Sequence, residues 1–109
     1  MPSPEDDEVR AREPDYSLVP ERFSVQIVGR EVTLTPTQFR LLATLMSAPG
    51  RIFSRAELVA QAFSTPVDER TVDVHVKDLR RRLEPHNARI ETVRGRGYRF
   101  NDARGITGI

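Results

Sequence analysis

The residues of this 109-residue chain that can do chemistry are mostly cations, and they are concentrated between Asp68 and Glu84, which reads D-E-R-T-V-D-V-H-V-K-D-L-R-R-R-L-E. Laid on a helix at about 100° per residue, Val72, Val76, Leu79 and Leu83 fall in one narrow arc, the stripe that a helix buries. The opposite face carries Arg70, Thr71, Val74, Lys77, Asp78 and Arg81. Val74 lies near its middle, where a surface helix ordinarily places something polar. An apolar group ringed by cations suits the major groove of duplex DNA, with the cations on phosphates and the apolar group against a thymine methyl. Charged helix faces are more often simply solvated, so the helix alone leaves both readings open.

Other chemistries lack their residues. The chain has no cysteine, which removes disulfides, thiolate zinc sites and cysteine nucleophiles together. His75 has no second ligand at helical spacing and His86 lies beyond Pro85, so no metal site is expected. Gly95 and Gly97 are followed by no helix and read as turn glycines, not as a phosphate-cradling loop. Asp73 and Asp78 share one helix, and they read as surface ion-pair partners for Arg70, Lys77 or Arg82 instead of a catalytic pair. The expectation is a protein without enzyme activity and without a cofactor.

Charge is unevenly distributed. The first 20 residues hold six acidic and two basic side chains, whereas the rest hold fifteen basic and ten acidic, so the folded part is basic and argues for a polyanionic partner. No apolar run approaches the roughly 18 residues of a membrane span and no signal peptide is evident, so a cytoplasmic location is expected. Met1 to Asp15, rich in charge and proline, reads as a flexible acidic linker or arm; residues 16–101 read as one domain, and 102–109 as a disordered tail.

Within the domain, Tyr16 and Leu18 alternate with polar positions, as do Phe23, Val25 and Ile27, then Val32 and Leu34. Two or three short antiparallel strands are predicted, with turns at Pro20-Glu21-Arg22 and Gly29-Arg30. Thr35-Pro36-Thr37-Gln38 predicts a capped helix start, with Phe39, Leu42, Ala43 and Met46 inward and Pro49-Gly50 at its end. Arg51-Ile52-Phe53 reads as a link or single bridge. Ser54-Arg55-Ala56-Glu57 repeats the capping signature for a helix that buries Leu58, Val59 and Phe63. Ser64 to Val67 is a connector, Asp68 caps the helix described first, and Pro85 ends it. Arg89–Val93 and Tyr98–Phe100 form a hairpin around Arg94-Gly95-Arg96-Gly97, with four arginines, Arg89, Arg94, Arg96 and Arg99, in or beside it.

The resulting fold class is α+β: a winged helix-turn-helix with a short N-terminal antiparallel sheet, three helices and a C-terminal β-hairpin wing. The outer face of the third helix and the hairpin tip would flank one DNA groove, and this coincidence turns the basic helix into a DNA-binding expectation.

Four blocks in order, Leu34–Leu42, Pro49–Arg55, Glu69–Val76 and Thr92–Phe100, resemble the DNA-binding effector domain of OmpR/PhoB-type response regulators, over about Tyr16 to Phe100. The resemblance implies a four-stranded N-terminal sheet and a bacterial two-component transcription regulator, part of a phosphorelay, that binds direct-repeat half-sites of double-stranded DNA as tandem protomers. It implies phosphate contacts from Arg70 and Thr71, with Val74, His75, Lys77 and Asp78 nearest the bases. Arg94 would enter the minor groove beside Arg96, Thr92 and Tyr98 would touch the backbone, and Arg80 and Arg81 would add phosphate contacts. The connector 64–67 would face RNA polymerase, and a receiver domain answering a sensor kinase would precede the domain unless the protein is a stand-alone regulator.

The sequence departs from the family at Asp78, where many relatives are basic, in a short connector, and in Phe63 where tryptophan is common. The receiver domain itself is not in the sequence. The alternative reading is a winged helix that docks an acidic protein.

Overall fold

Short-range sequence signals set the boundaries of nearly every element in the computed structural model, which describes residues 15–101. The expectations for residues 1–14 and 102–109 lie outside the described residues. Strands β1 (Tyr16–Val19), β2 (Ser24–Ile27) and β3 (Arg30–Thr33) form an antiparallel sheet in that order, with a 3₁₀ turn at Pro20–Arg22 between the first two. The sheet thus has three strands, not the four that the family resemblance implies.

The alternation read across Phe23 also needs correction. Phe23 caps the 3₁₀ turn in a left-handed conformation (φ 48°) and is 43% exposed, with its ring edge-on to Phe39. Ser24 is fully buried instead, and its hydroxyl donates to Glu31 at 2.6 Å. Phe23 alone leaves the alternation, because it belongs to the turn; Val25 and Ile27 are buried as predicted, with Gln26 partly exposed between them.

Helix α1 (Pro36–Met46) starts as its sequence dictates: the Thr35 hydroxyl accepts from the Gln38 amide, and the Gln38 side chain accepts from the Thr35 amide. Its buried arc is wider than the four predicted positions. Leu41, Leu45 and Gln38 are buried, while Ala43 and Met46 are only partly covered. The reason is that α1 packs against α2 (Arg55–Ala62), against α3 (Glu69–Leu83) and against β5 (Gly97–Phe100), so more than one stripe is needed. The α2 start carries the reciprocal Ser54–Glu57 capping box. This helix buries Leu58 and Ala62; Val59 and Phe63 are half-buried at its edge.

In α3 the predicted stripe is the buried one: Val72, Val76, Leu79 and Leu83 are all at most 1% exposed. Each such side chain contributes roughly 1.5–3 kcal/mol of burial free energy. The helix ends at Leu83, and the Arg82 guanidinium donates to the Thr33 carbonyl, joining α3 to the N-terminal sheet.

A 3₁₀ turn at Asn87–Arg89 leads into β4 (Ile90–Val93), which pairs with β5. Arg89, read as part of the basic wing, is buried. Its guanidinium lies 4.5 Å from the Phe100 ring centroid, donates to the Asn101 carbonyl at 2.9 Å and meets Asp15 at 3.8 Å. It closes the base of the hairpin.

The hairpin is fastened to the helices by a bridge in which Phe53 and Tyr98 exchange backbone hydrogen bonds of 2.8 and 3.0 Å. Gly97 lets the strand come this close. It has φ 138°, and a Cβ there would collide with the Phe53 carbonyl, whereas Gly95 (φ 76°) faces open space. Gly97→Ala is therefore expected to destabilise the fold by about 3 kcal/mol or more. Gly95→Ala should cost only about 1–2 kcal/mol, the strain of its left-handed backbone. Urea unfolding of the two variants checks the difference.

Candidate nucleic-acid interface

Two exposed surfaces built from different elements lie on either side of a polar brace. The first is the outer face of α3. Asp68 caps it, its carboxylate accepting from the Arg70 amide at 2.8 Å and from the Arg70 guanidinium at 3.4 Å. These bonds, the amide's first, hold the Asp68 carboxyl below its ordinary pKa. Val74 is 57% exposed, and Lys77, Asp78 and Arg81 surround it in solvent. Among the described residues no ion pair engages Lys77, Asp78 or Arg81.

The second surface is the hairpin tip. Arg94 and Arg96 are exposed and enter no ion pair among the described residues, and the turn between them is closed by the Arg96 amide on the Val93 carbonyl at 2.9 Å. Arg99 is not part of this surface, because its guanidinium is held by Glu91 at 2.6 Å. Of the four hairpin arginines, two are therefore offered outward and two are engaged within the fold.

The brace lies between the two surfaces. Asp73 Oδ1 accepts from Arg55 Nε of α2 at 2.7 Å and from the Tyr98 hydroxyl of β5 at 2.5 Å. Asp73 was expected to pair with a cation of its own region; its partners are instead 18 and 25 residues away. Beside it, Arg80 Nε and Nη2 donate to the Ile90 carbonyl at 3.1 and 2.9 Å, and Nη2 donates to Thr92 Oγ1 at 2.8 Å. The guanidinium groups of Arg55 and Arg80 lie 5.5 and 5.6 Å from the Tyr98 ring centroid.

Besides Arg70, which meets Asp68, four residues assigned to DNA contact by resemblance thus have partners inside the protein. Tyr98 is only 4% exposed and gives its hydroxyl to Asp73. Arg80 and Thr92 bond to each other across the junction of helix and wing, although Thr92 itself is exposed. His75 is half-buried, with Nδ1 2.9 Å from the Thr71 carbonyl and its ring edge-on to Phe63 at 5.1 Å. Arg70, Thr71, Val74, Lys77, Asp78 and Arg81 do share one face of α3, and Arg94 and Arg96 share the hairpin tip.

Arg55 was not among the expected site residues. Its capping-box context placed it correctly at the first position of α2, but nothing in the local pattern points to Asp73.

Electrostatics agree with the geometry. Burial pushes the Asp73 carboxyl up, but the hydrogen bonds from Tyr98 and Arg55 outweigh it and the net shift is downward. Burial, then the Asp73 carboxylate, push the Tyr98 phenol up. The bond to Asp73 likewise raises Arg55.

Comparison with known proteins points one way. Residues 29–100 match the family described as "Transcriptional regulatory protein, C terminal". Over 88 residues the chain is 51% identical to the phosphate regulon transcriptional regulatory protein PhoB of Rhizobium meliloti (strain 1021), covering 77% of this chain and 39% of PhoB. Over 91 residues it is 45% identical to a probable transcriptional regulatory protein of Picosynechococcus sp., covering 79% of this chain and 36% of that protein. The chain thus spans less than two fifths of the length of these relatives.

Among solved structures, the DNA-binding domain of the response regulator AdeR in complex with an intercistronic region is similar at a TM-score of 0.73 and 31% identity, covering 80% of this chain and 94% of that one. The Klebsiella pneumoniae RstA DNA-binding domain in complex with the RstA box is similar at a TM-score of 0.69 and 31% identity, covering 79% and 90%.

The brace has a pH signature. With its folded pKa depressed, Asp73 stabilises the fold above its unfolded pKa of about 3.9, and that contribution is lost as pH falls through the folded value. Tyr98, raised, stabilises below about pH 10, and this contribution is lost as pH rises through its folded value. Asp73→Ala should cost about 1–3 kcal/mol near neutral pH, because it leaves the buried Tyr98 hydroxyl without its acceptor. The penalty should shrink on the acid limb, which chemical denaturation between pH 2 and 7 would show.

Proposed function

The chain belongs to the family of OmpR/PhoB-type C-terminal effector domains, and on that premise we propose that it binds double-stranded DNA sequence-specifically as the DNA-reading part of a transcriptional regulator. The observation that carries this reading is the pairing of two outward cationic surfaces, Arg70–Lys77–Arg81 on α3 and Arg94–Arg96 on the hairpin, across one brace. Lys77, Arg81, Arg94 and Arg96 form no ion pair among the described residues, and Arg70, although 3.4 Å from Asp68, is exposed, so these cations are available to phosphates.

In this reading α3 lies in the major groove. Arg70 and Thr71 approach phosphate at its N-terminal end, where the helix dipole favours anions, and Lys77 and Arg81 flank the groove. Val74 meets a thymine methyl. Arg94 enters the adjacent minor groove, with Arg96 on its rim, where narrow A·T-rich segments attract arginine. Arg80, Thr92 and Tyr98 act one step back and fix the angle between helix and wing. Their internal bonds support positioning more strongly than direct contact.

The wider assembly belongs to the same proposal. Copies of the domain occupy direct-repeat half-sites, and a receiver domain in the longer protein governs that occupancy. The connector 64–67 supports a contact with RNA polymerase: Ser64, Thr65 and Pro66 are exposed beside an open groove lined by Val59, Ala60 and Phe63. An acidic protein would also be attracted to these cations, but it would select no nucleotide sequence.

Selection from a randomised duplex pool followed by gel-shift titration tests the reading. The domain should enrich one motif. Arg70→Ala and Arg94→Ala should each weaken binding, and the slope of log affinity against log salt should flatten by about one unit for each phosphate that is no longer neutralised. No enriched motif, with both variants unchanged in affinity, would overturn the proposal.

A further inference from the structure

Asp78 is the anomaly of the α3 face. It is exposed one turn beyond Val74 and is surrounded by Lys77 and Arg81, yet it makes no ion pair among the described residues. Helical spacing offers it Arg81 at i+3 and Arg82 at i+4; neither forms an ion pair with it among the described residues, and the Arg82 guanidinium donates instead to the Thr33 carbonyl of β3. Asp73, the other aspartate of this helix, has two donors on one oxygen. Asp78 therefore keeps its full acceptor capacity on the surface that carries the proposed DNA contacts.

A carboxylate cannot serve a phosphate; it can only repel one. In the major groove, however, two bases present donors. Cytosine offers its N4 amino group beside a carbon-bound hydrogen. Adenine offers its N6 amino group beside the N7 acceptor, which repels a carboxylate. Guanine and thymine present acceptors where a carboxylate would have to sit. The preference should thus run from cytosine to adenine, with guanine and thymine disfavoured. The distance along the helix locates the base: four residues rise about 6 Å, and base pairs step by about 3.4 Å.

We propose that Asp78 is a specificity-determining residue that accepts a hydrogen bond from a cytosine amino group within about two base pairs of the thymine contacted by Val74. The proposal rests on the DNA-binding reading above. It turns a charge that opposes phosphate binding into a source of sequence discrimination. Affinity for unselected duplex is lowered by the same carboxylate that favours the correct base.

The test is motif selection repeated with the folded domain, its Asp78→Ala variant and its Asp78→Asn variant, with circular dichroism confirming that both variants fold. The unaltered domain should favour cytosine at one position by roughly tenfold over guanine or thymine. Asp78→Ala should flatten that position alone. Asp78→Asn should move it toward adenine, because an amide can donate to N7 while accepting from N6.

If both variants bind every duplex more tightly by the same factor and select the same motif, Asp78 only repels phosphate and the proposal is overturned. If the unaltered domain itself selects no motif, the DNA-binding reading fails first and this inference fails with it.

Discussion

One carboxylate oxygen, Asp73 Oδ1, receives hydrogen bonds from Arg55 on α2 and from Tyr98 on β5 while itself belonging to α3. Three elements distant in sequence are thereby joined at one point between the two exposed cationic surfaces. The bond from Arg55 is charge-assisted, and the Tyr98 hydroxyl sits in a buried ring whose alternative partners are few, so the oxygen is costly to remove. Arg80, bonded to Ile90 and Thr92, adds a second link between the same helix and the same hairpin. The Phe53–Tyr98 bridge, made possible by Gly97, anchors that hairpin to the start of α2. Separation and tilt of helix and wing are thus set by the protein before any ligand arrives, which would reduce the ordering cost of the proposed two-groove contact.

The same arrangement divides the arginines into two populations. Arg55, Arg80, Arg82, Arg89 and Arg99 are engaged within the fold, on carboxylates, carbonyls or aromatic rings. Arg81, Arg94 and Arg96, with Lys77, keep their charge for solvent or a partner. A guanidinium with five donors serves either purpose, and its neighbours decide which. Net charge alone would count all of them equally. The local count of unengaged cations is the more informative quantity, because only those can replace the counterions of a polyanion.

Much of this was legible in the sequence wherever the controlling interaction is local. The two capping boxes, the stripe of α3, the exposed Val74 and the hairpin turn all follow from relations within about five residues. The resemblance carried by four ordered blocks supplied the fold and the family. Where the determinants are remote, the reading failed in recognisable ways. Phe23 looked like an inward strand residue but is the left-handed cap of the 3₁₀ turn, and α1 looked singly amphipathic although it is covered on several sides. Arg89 and Tyr98 looked like outward contacts, but burial and partners 12 to 25 residues away had already engaged them. Pairings of that range leave no periodic trace in a single sequence.

In the proposed reading, helix α3 and the wing act as one reader because the brace holds them in register. Hydroxyl-radical footprinting on the selected duplex probes this coupling, since the radical reports the minor groove and backbone base pair by base pair. The unaltered domain is predicted to protect the backbone flanking one major-groove segment together with the adjacent minor groove. The Tyr98→Phe/Arg80→Ala double variant, which removes two of the links but leaves every exposed cation in place, is predicted to keep the first protection and lose the second. Undiminished protection of both in the double variant, or protection of the major-groove segment alone in the unaltered domain, would contradict the coupling of helix and wing.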